Sequence, residues 1–268
     1  MIRIGVCSSI DNISKVQNAG FDYLEGNLGA IYSMTDGEYE HACNIVDAST
    51  IKVEATNCML LSHVKVTGPE VDKEQLREYL EKAFSRATRL GVKVCVFGSS
   101  GARRVPDGFN TAEGWRQVAE FLRMADGIAE KYGVTIAIEP LCFVESNIMN
   151  YVSEATLMAS LLNLPHVCVL GDTYHMAMGN ESWNAFRMSG SLLKHVHVAC
   201  ANGRACPRNG DGENYNELFK ILTEIGYEGR VSIEANFENF DREIPVGFTV
   251  LDEARRSYFN NLNHRNGN

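Results

Sequence analysis

The sequence predicts an α/β protein folded as a single (β/α)8 barrel over residues 1–268. Three observations carry this. Short β-rich runs alternate with longer amphipathic stretches along the whole chain, which implies parallel strands joined by helical crossovers. Eight such units fit the roughly 250 residues of a closed barrel. An open doubly wound sheet is the alternative architecture, but no G-x-G-x-x-G follows the first strand and no linker or composition shift divides the chain.

The first strand is expected at Ile2–Cys7, with a short helix near Asn12–Ala19 ending at Gly20. Phe21–Asn27 is the second strand, Asp36–Ala48 the helix after it, and Ile51–Asn57 the third strand. Val71–Leu90 carries Leu76, Leu80, Ala83, Phe84, Ala87 and Leu90 at spacings of 3 and 4, one face of a helix closed by Gly91. Val92–Phe97 follows as strand four, then helix Thr111–Tyr132 with Thr111 as N-cap and Gly133 as stop. Val134–Glu139 is strand five, before helix Val152–Leu162. Val167–Leu170, a less regular helical region after Gly179, and His195–Ala199 come next. Helix Asn216–Ile225, strand Val231–Ala235 and helix Thr249–Leu262 complete a strict alternation of strands and helices.

Composition narrows the function. A chain of 268 residues that is 45% hydrophobic and 22% charged folds into a packed core. Its net charge of −9 argues against a broad nucleic-acid surface, which needs clustered Lys and Arg. No uncharged apolar run approaches ~18 residues, so no membrane span is expected. The opening MIRIGVCSSI reads as a strand rather than a secretory leader. The eight cysteines are scattered with no C-x-x-C pair, which argues against a zinc finger or a disulfide framework. A reducing cytoplasm is the expected compartment.

Active sites of such barrels lie at the strand C-termini, so the polar groups that end the strands matter most. Side chains alternate faces along a strand. In Thr135-Ile136-Ala137-Ile138-Glu139, Glu139 lies opposite the two Ile residues. Glu234 shares a face with Ser232, opposite Val231 and Ile233. His195 and His197 oppose Val196 and Val198, and Asp172 continues the parity of Leu170. If the branched sets face the helices, Glu139, Asp172, His197 and Glu234 point inward near one rim. Three converging carboxylates need a counter-charge. One divalent cation supplies it, and this oxygen-rich set suits Mn²⁺ first, with Mg²⁺, Co²⁺ and Zn²⁺ as alternatives.

The segments AIEPL (137–141), GDTYHM (171–176), HVHV (195–198) and SIEANF (232–237), in this order, resemble the xylose isomerase-like sugar isomerase/epimerase superfamily. The resemblance is strongest to ketose 3-epimerases and their relatives, including hydroxypyruvate isomerase. It implies metal ligation by Glu139, Asp172, His197 and Glu234, with Glu139 and Glu234 as the catalytic acid/base pair. It also implies substrate contacts from His175, by the D-x-x-H spacing, and from Glu145, six residues after the first ligand. The epimerases usually carry H-x-G-E and then an Arg after strand seven. Here Cys200 replaces the Glu, and Arg204, the corresponding substrate contact, lies one residue later.

Two further segments bear on the substrate. Gly98–Arg104 contains two glycines and Arg103 and Arg104, and reads either as an anion site or as a flexible loop. Glu25 and Asn27 end strand two with matched parity and could line the pocket, and Cys58 could be an uncharged substrate contact.

The expected function is therefore a metal-dependent sugar or sugar-phosphate isomerase/epimerase working through an enediolate, with ketose 3-epimerisation preferred. Keto-polyol dehydration, an apurinic endonuclease-like hydrolase and a non-catalytic sugar-binding protein are the alternatives. The expected partner is a small-molecule sugar or sugar phosphate, not nucleic acid or membrane, and the resemblance implies a homo-oligomer, dimer or tetramer.

Overall fold

A computed structural model of the protein describes residues 2–265, with side chains to residue 257. Its strands are β1 (Arg3–Cys7), β2 (Tyr23–Asn27), β3 (Val53–Asn57), β4 (Val94–Phe97), β5 (Thr135–Ile138), β6 (Val167–Asp172), β7 (Leu193–Val198) and β8 (Arg230–Ile233). All pair in parallel and in chain order, and β8 returns to β1 through Ile4–Val231 and Gly5–Ser232 to close the barrel. Closure leaves no sheet edge to protect.

The helices are α1 (Ile13–Asn18), α2 (Leu28–Ser33), α3 (Asp36–Ala48), α4 (Lys73–Arg89), α5 (Ser100–Arg103), α6 (Thr111–Tyr132), α7 (Val152–Leu162), α8 (Thr173–Met178), α9 (Asn184–Ser189), α10 (Tyr215–Glu224) and α11 (Phe240–Arg265). The expected strict alternation is corrected here. β2, β4 and β6 are each followed by a short extra helix before or within the crossover, namely α2, α5 and α8. These helices of 4–6 residues are too short to show a 3.6-residue period.

Two helix starts also differ from expectation. Asn110, not Thr111, caps α6, its side chain accepting from Glu113 N at 3.1 Å. α11 begins at Phe240, nine residues before Thr249, and runs through Pro245. Proline removes one backbone donor near the helix start. Burial of Ile244 against the core holds that turn in place.

Side-chain parity is as the sequence indicates. Ile136, Ile138, Val196, Val198, Val231 and Ile233 belong to the large core between sheet and helices. Tyr23, Ala55, Val94, Val96, Ala137, Cys168 and Leu170 fill the barrel interior as a separate cluster. This apolar plug occupies the interior, and the polar strand ends lie above it.

Gly171 faces outward on β6. A Cβ there would lie 2.1 Å from the ring of Phe186 on α9, which is fully buried against the strand. Gly171→Ala is therefore expected to destabilise by about 1–3 kcal/mol, the usual cost of overpacking. Urea unfolding followed by circular dichroism checks this, and an unchanged midpoint would show that Phe186 can move aside freely.

Candidate metal centre and substrate pocket

Four strands deliver the donors. Glu139 follows β5, its backbone N–H donating to Phe97 O at 3.2 Å. Asp172 ends β6 and caps α8: Oδ1 accepts from Tyr174 N (2.7 Å) and His175 N (3.2 Å), which leaves Oδ2 for the site. His197 lies in β7, in register with Asp172 and Ser232 on its two neighbours. Glu234 follows β8, its N–H donating to Val198 O at 3.1 Å. One donor atom from each of Glu139, Asp172, His197 and Glu234 lies within 4.8 Å of the others. The group is a buried cluster consistent with a divalent metal site.

His197 is fully buried at the centre. Its Nδ1 lies 3.2 Å from Glu139 Oε1, 3.2 Å from Glu234 Oε2 and 3.9 Å from Asp172 Oδ2. Its Nε2 lies 2.9 Å from Glu25 Oε1. Burial alone would lower the imidazole pKa, but the charges of Glu25 and Glu234 outweigh it and raise it well above the ordinary value.

Glu25 departs from expectation. It does not line the pocket but lies beneath it, fully buried. Its carboxylate also accepts from His195 Nε2 at 2.7 Å and from the Ser232 hydroxyl. Ser232 in turn pairs with the Tyr23 hydroxyl at 2.6 Å. Burial would raise the Glu25 pKa; His197 and His195 reverse this and hold the carboxyl well below its usual range. Burial keeps His195 below its ordinary value, so it donates from Nε2 as a neutral ring.

Above the donors opens a pocket of about 330 Å³. Glu139, Glu145, His175, Arg204 and Glu234 all line it, so the structure brings every residue expected at the site to this cavity or, for Asp172 and His197, to its floor. His175 Nδ1 accepts from Cys142 N at 3.2 Å, which places the proton of the neutral ring on Nε2, 3.9 Å from Asp172 Oδ2.

Arg204 reaches the pocket despite its shifted spacing. The loop after β7 folds back, Cys200 N donating to Ala205 O at 2.9 Å, with Gly203 and Arg204 at φ of 74° and 51°. This left-handed pair absorbs the extra residue. The guanidinium lies over the Tyr174 ring at 4.9 Å. Its Nη2 is 3.2 Å from Asp172 Oδ2 and 2.5 Å from Glu234 Oε2, and Nη1 is 3.6 Å from Glu145 Oε1.

Asn57, at the end of β3, was not singled out in the sequence. Its amide donates to Glu234 Oε1 at 2.7 Å. The signal was its position as the last polar residue of an inward-facing set, shared with Asn27, which does line the pocket. Cys58 lines it too. Desolvation, then the charges of Glu234 and Glu139, push its thiol up to about 12, so it is neutral at physiological pH.

The segment 98–104 forms a short helix rather than an open loop. Ser100–Arg103 is helical, and Arg103 is fully buried, donating to Phe97 O at 2.9 Å and Glu139 O at 2.5 Å. Its charge is used to bind the carbonyls where β4 and β5 end. Arg104 is exposed and outside the pocket lining. Gly98 is required for another reason: a Cβ there would lie 2.0 Å from Glu139 Oε2.

The comparisons with known proteins agree with this geometry. The family described as "Xylose isomerase-like TIM barrel" matches residues 13–254. A 3-dehydro-D-guloside 4-epimerase of Escherichia coli K12 is 29% identical over 127 residues, or 47% of this chain and 48% of that protein. The match thus spans about half the length of that relative. A D-psicose 3-epimerase of Agrobacterium fabrum is 26% identical over 235 residues, covering 83% of this chain and 77% of its own. The crystal structure of a D-allulose 3-epimerase from Methylomonas sp. superposes with a TM-score of 0.82 at 19% identity, covering 94% of this chain and 98% of that one, a likeness of fold. With the family match running from α1 into α11, the chain belongs to the xylose isomerase-like TIM barrel family.

Proposed function

We propose that the protein is a divalent-metal-dependent sugar epimerase of the ketose 3-epimerase type, moving a proton at a carbon next to a ketone. One observation carries this reading: two carboxylates from strands far apart around the barrel, Glu139 and Glu234, face one point together with Asp172 and His197. The epimerase activities named for the relatives support it.

The donor set fits a divalent ion. It is rich in carboxylate oxygen, and the positive Arg204 already lies against Asp172 and Glu234, as a cation would. Glu139, Asp172, His197 and Glu234 would hold Mn²⁺, Mg²⁺ or Co²⁺. When bound, the ion supplies Lewis-acid polarisation of a substrate oxygen and stabilises developing negative charge.

The rest is done by the chain. The protein's own field separates the two glutamates. Burial, then the charge of Glu234, raises the Glu139 pKa. Burial would raise Glu234 too, but His197 and Arg204 hold it down to about 2. Glu139 and Glu234 form the acid/base pair: one takes the proton from the carbon beside the ketone, and the other returns one to the opposite face. The bond to the departing proton breaks as the electron pair moves onto the carbonyl oxygen, and reprotonation from the other side restores the ketone with inverted stereochemistry.

His175 donates from Nε2 to a substrate oxygen, Arg204 binds a second, and Glu145 accepts from a substrate hydroxyl while steadying Arg204. A cavity of about 330 Å³ lies at the small end of ligand pockets, about 300–1,000 Å³, and suits a monosaccharide ring or chain. Arg204 is the one cationic side chain in its lining, and acidic groups already engage it. The reading is therefore a free sugar rather than a sugar phosphate.

The test is incubation with Mn²⁺ and a panel of ketoses and ketose phosphates in D₂O, followed by NMR. Deuterium at the carbon next to the ketone, in an inverted product, is expected with the free sugars. Loss of a β-hydroxyl would assign dehydration instead, and no exchange with any member would overturn the reading.

Glu139→Gln and Glu234→Gln keep size and one oxygen ligand but remove the proton acceptor. Turnover is expected to fall at least about 10²-fold in each, with the metal still bound by elemental analysis. Near-wild-type rates in both would refute the two-carboxylate mechanism.

Glu25 acts through His197. By accepting the hydrogen bond from Nε2–H it favours the tautomer that would leave Nδ1 free for a metal, and such partners are worth about 10–100-fold in metal affinity. Glu25→Gln should weaken Mn²⁺ binding by this factor in calorimetric titration, with Glu25→Asp recovering part of it. Unchanged affinity in Glu25→Gln would show that packing alone orients His197.

A further inference from the structure

Asp172 and Glu234 each lend one oxygen to the scaffold. Asp172 Oδ1 accepts from Tyr174 N and His175 N, at 2.7 and 3.2 Å, and Glu234 Oε1 accepts from the Asn57 amide at 2.7 Å. That leaves Asp172 Oδ2 and Glu234 Oε2 for a cation. These two atoms face His197 Nδ1, at 3.9 and 3.2 Å. They are also the two that Arg204 holds through Nη2, at 3.2 and 2.5 Å. A guanidinium in that position and a divalent ion bonded to the same oxygens would be like charges in close approach, which repel strongly away from water.

This position suits Arg204 by its charge and little else. Its Nε is buried and has no hydrogen-bond partner among the described residues, which is costly for a donor. Nη1 lies 3.6 Å from Glu145 Oε1, too long for a good hydrogen bond. The backbone is fixed: Arg204 O accepts from Asn236 N at 2.7 Å, and Cys200 pairs with Ala205 across the loop. The side chain ends at the open pocket. Glu145 lines that pocket too, is partly exposed, and faces the guanidinium from the side away from Asp172 and Glu234 with its carboxylate otherwise uncommitted.

We propose that Arg204 is a displaceable internal counter-ion that sets the metal affinity of the protein: its guanidinium and a divalent ion compete for Asp172 Oδ2 and Glu234 Oε2, and Glu145 receives the guanidinium when it gives them up. The move needs only side-chain torsions on an anchored backbone. Held at Asp172 and Glu234, Arg204 offsets carboxylates that would otherwise repel. Drawn to Glu145, it turns its donors toward the pocket, where a substrate oxygen can accept from them. One residue thus ties substrate binding to metal loading. The inference rests on reading the four residues as a metal site and is independent of the sugar chemistry.

The probe is Mn²⁺ alone, titrated calorimetrically into chelator-treated protein. Arg204→Gln removes the competitor, and Mn²⁺ should bind at least about tenfold more tightly, since a site open about a tenth of the time binds tenfold more weakly than an open one. Glu145→Gln removes the receiver, and a double-mutant cycle shows whether it acts through Arg204: Mn²⁺ binding should weaken about fivefold in the wild-type background and change by less than about twofold in Arg204→Gln. Unchanged affinity in Arg204→Gln would overturn the proposal. So would an equal effect of Glu145→Gln in both backgrounds, because two charges acting only through their fields would give that result. If Arg204→Gln folds only with Mn²⁺ present, release of the ion to EDTA is followed instead: slower release than from the wild type supports displacement, and an equal rate refutes it. If neither protein binds Mn²⁺, the metal reading itself fails and the proposal falls with it.

Discussion

Four carboxylates gather around one imidazole. Glu25 meets Nε2 of His197, while Glu139, Glu234 and Asp172 face Nδ1 at 3.2, 3.2 and 3.9 Å. Like charges this close are costly away from water. Positive charge must therefore be supplied from every side, and His197 and Arg204 supply it from within the chain. The same excess of negative charge is what makes the cluster consistent with a divalent metal site. The imidazole separates the Glu25 carboxylate below from the donor cluster at the pocket floor above and couples them.

The scaffold holds this arrangement with parts that each do two things. Asp172 gives one oxygen to the first turn of α8 and the other to the site, so the helix cap also aims the donor. Arg103 donates to the carbonyl of Phe97, which also accepts from Glu139 N, and to the carbonyl of Glu139 itself. Buried backbone oxygens rarely go without a partner, so this internal arginine finishes the strand ends and fixes where the glutamate begins. Gly98 leaves the space that the Glu139 side chain occupies.

The shape of the cleft follows from its short helices. Asn27 caps α2 with its side chain, accepting from Ala30 N at 2.8 Å, and lines both the pocket over the donors and the neighbouring cavity beside β1. A full-length helix leading straight out of β2 would present a longer wall. The short α2 turns the chain early and leaves room beside β1. Loops and caps thus shape the rim of the pocket, and strand ends held by the barrel supply the donor cluster.

The sequence by itself determined the barrel and the inward direction of Glu139, Asp172, His197 and Glu234. The first depends on the alternation of strand-like and amphipathic helical runs and the second on period-2 alternation within strands, both local properties that need no knowledge of neighbours. The motifs around these residues also placed His175, Glu145 and Arg204 near one cavity. What tertiary structure alone decided is who meets whom. Glu25 lies 170 residues from His195 and 172 from His197, and Asn57 lies 177 from Glu234. Parity showed that Glu25 points inward, but not how deep it lies or that two imidazoles claim its oxygens. Arg103 read as part of an anion site or a flexible loop because the carbonyls it binds come from two strand ends, one of them 36 residues away. Chain closure brings these groups together, and a linear pattern records which way a side chain faces, not which distant group waits there.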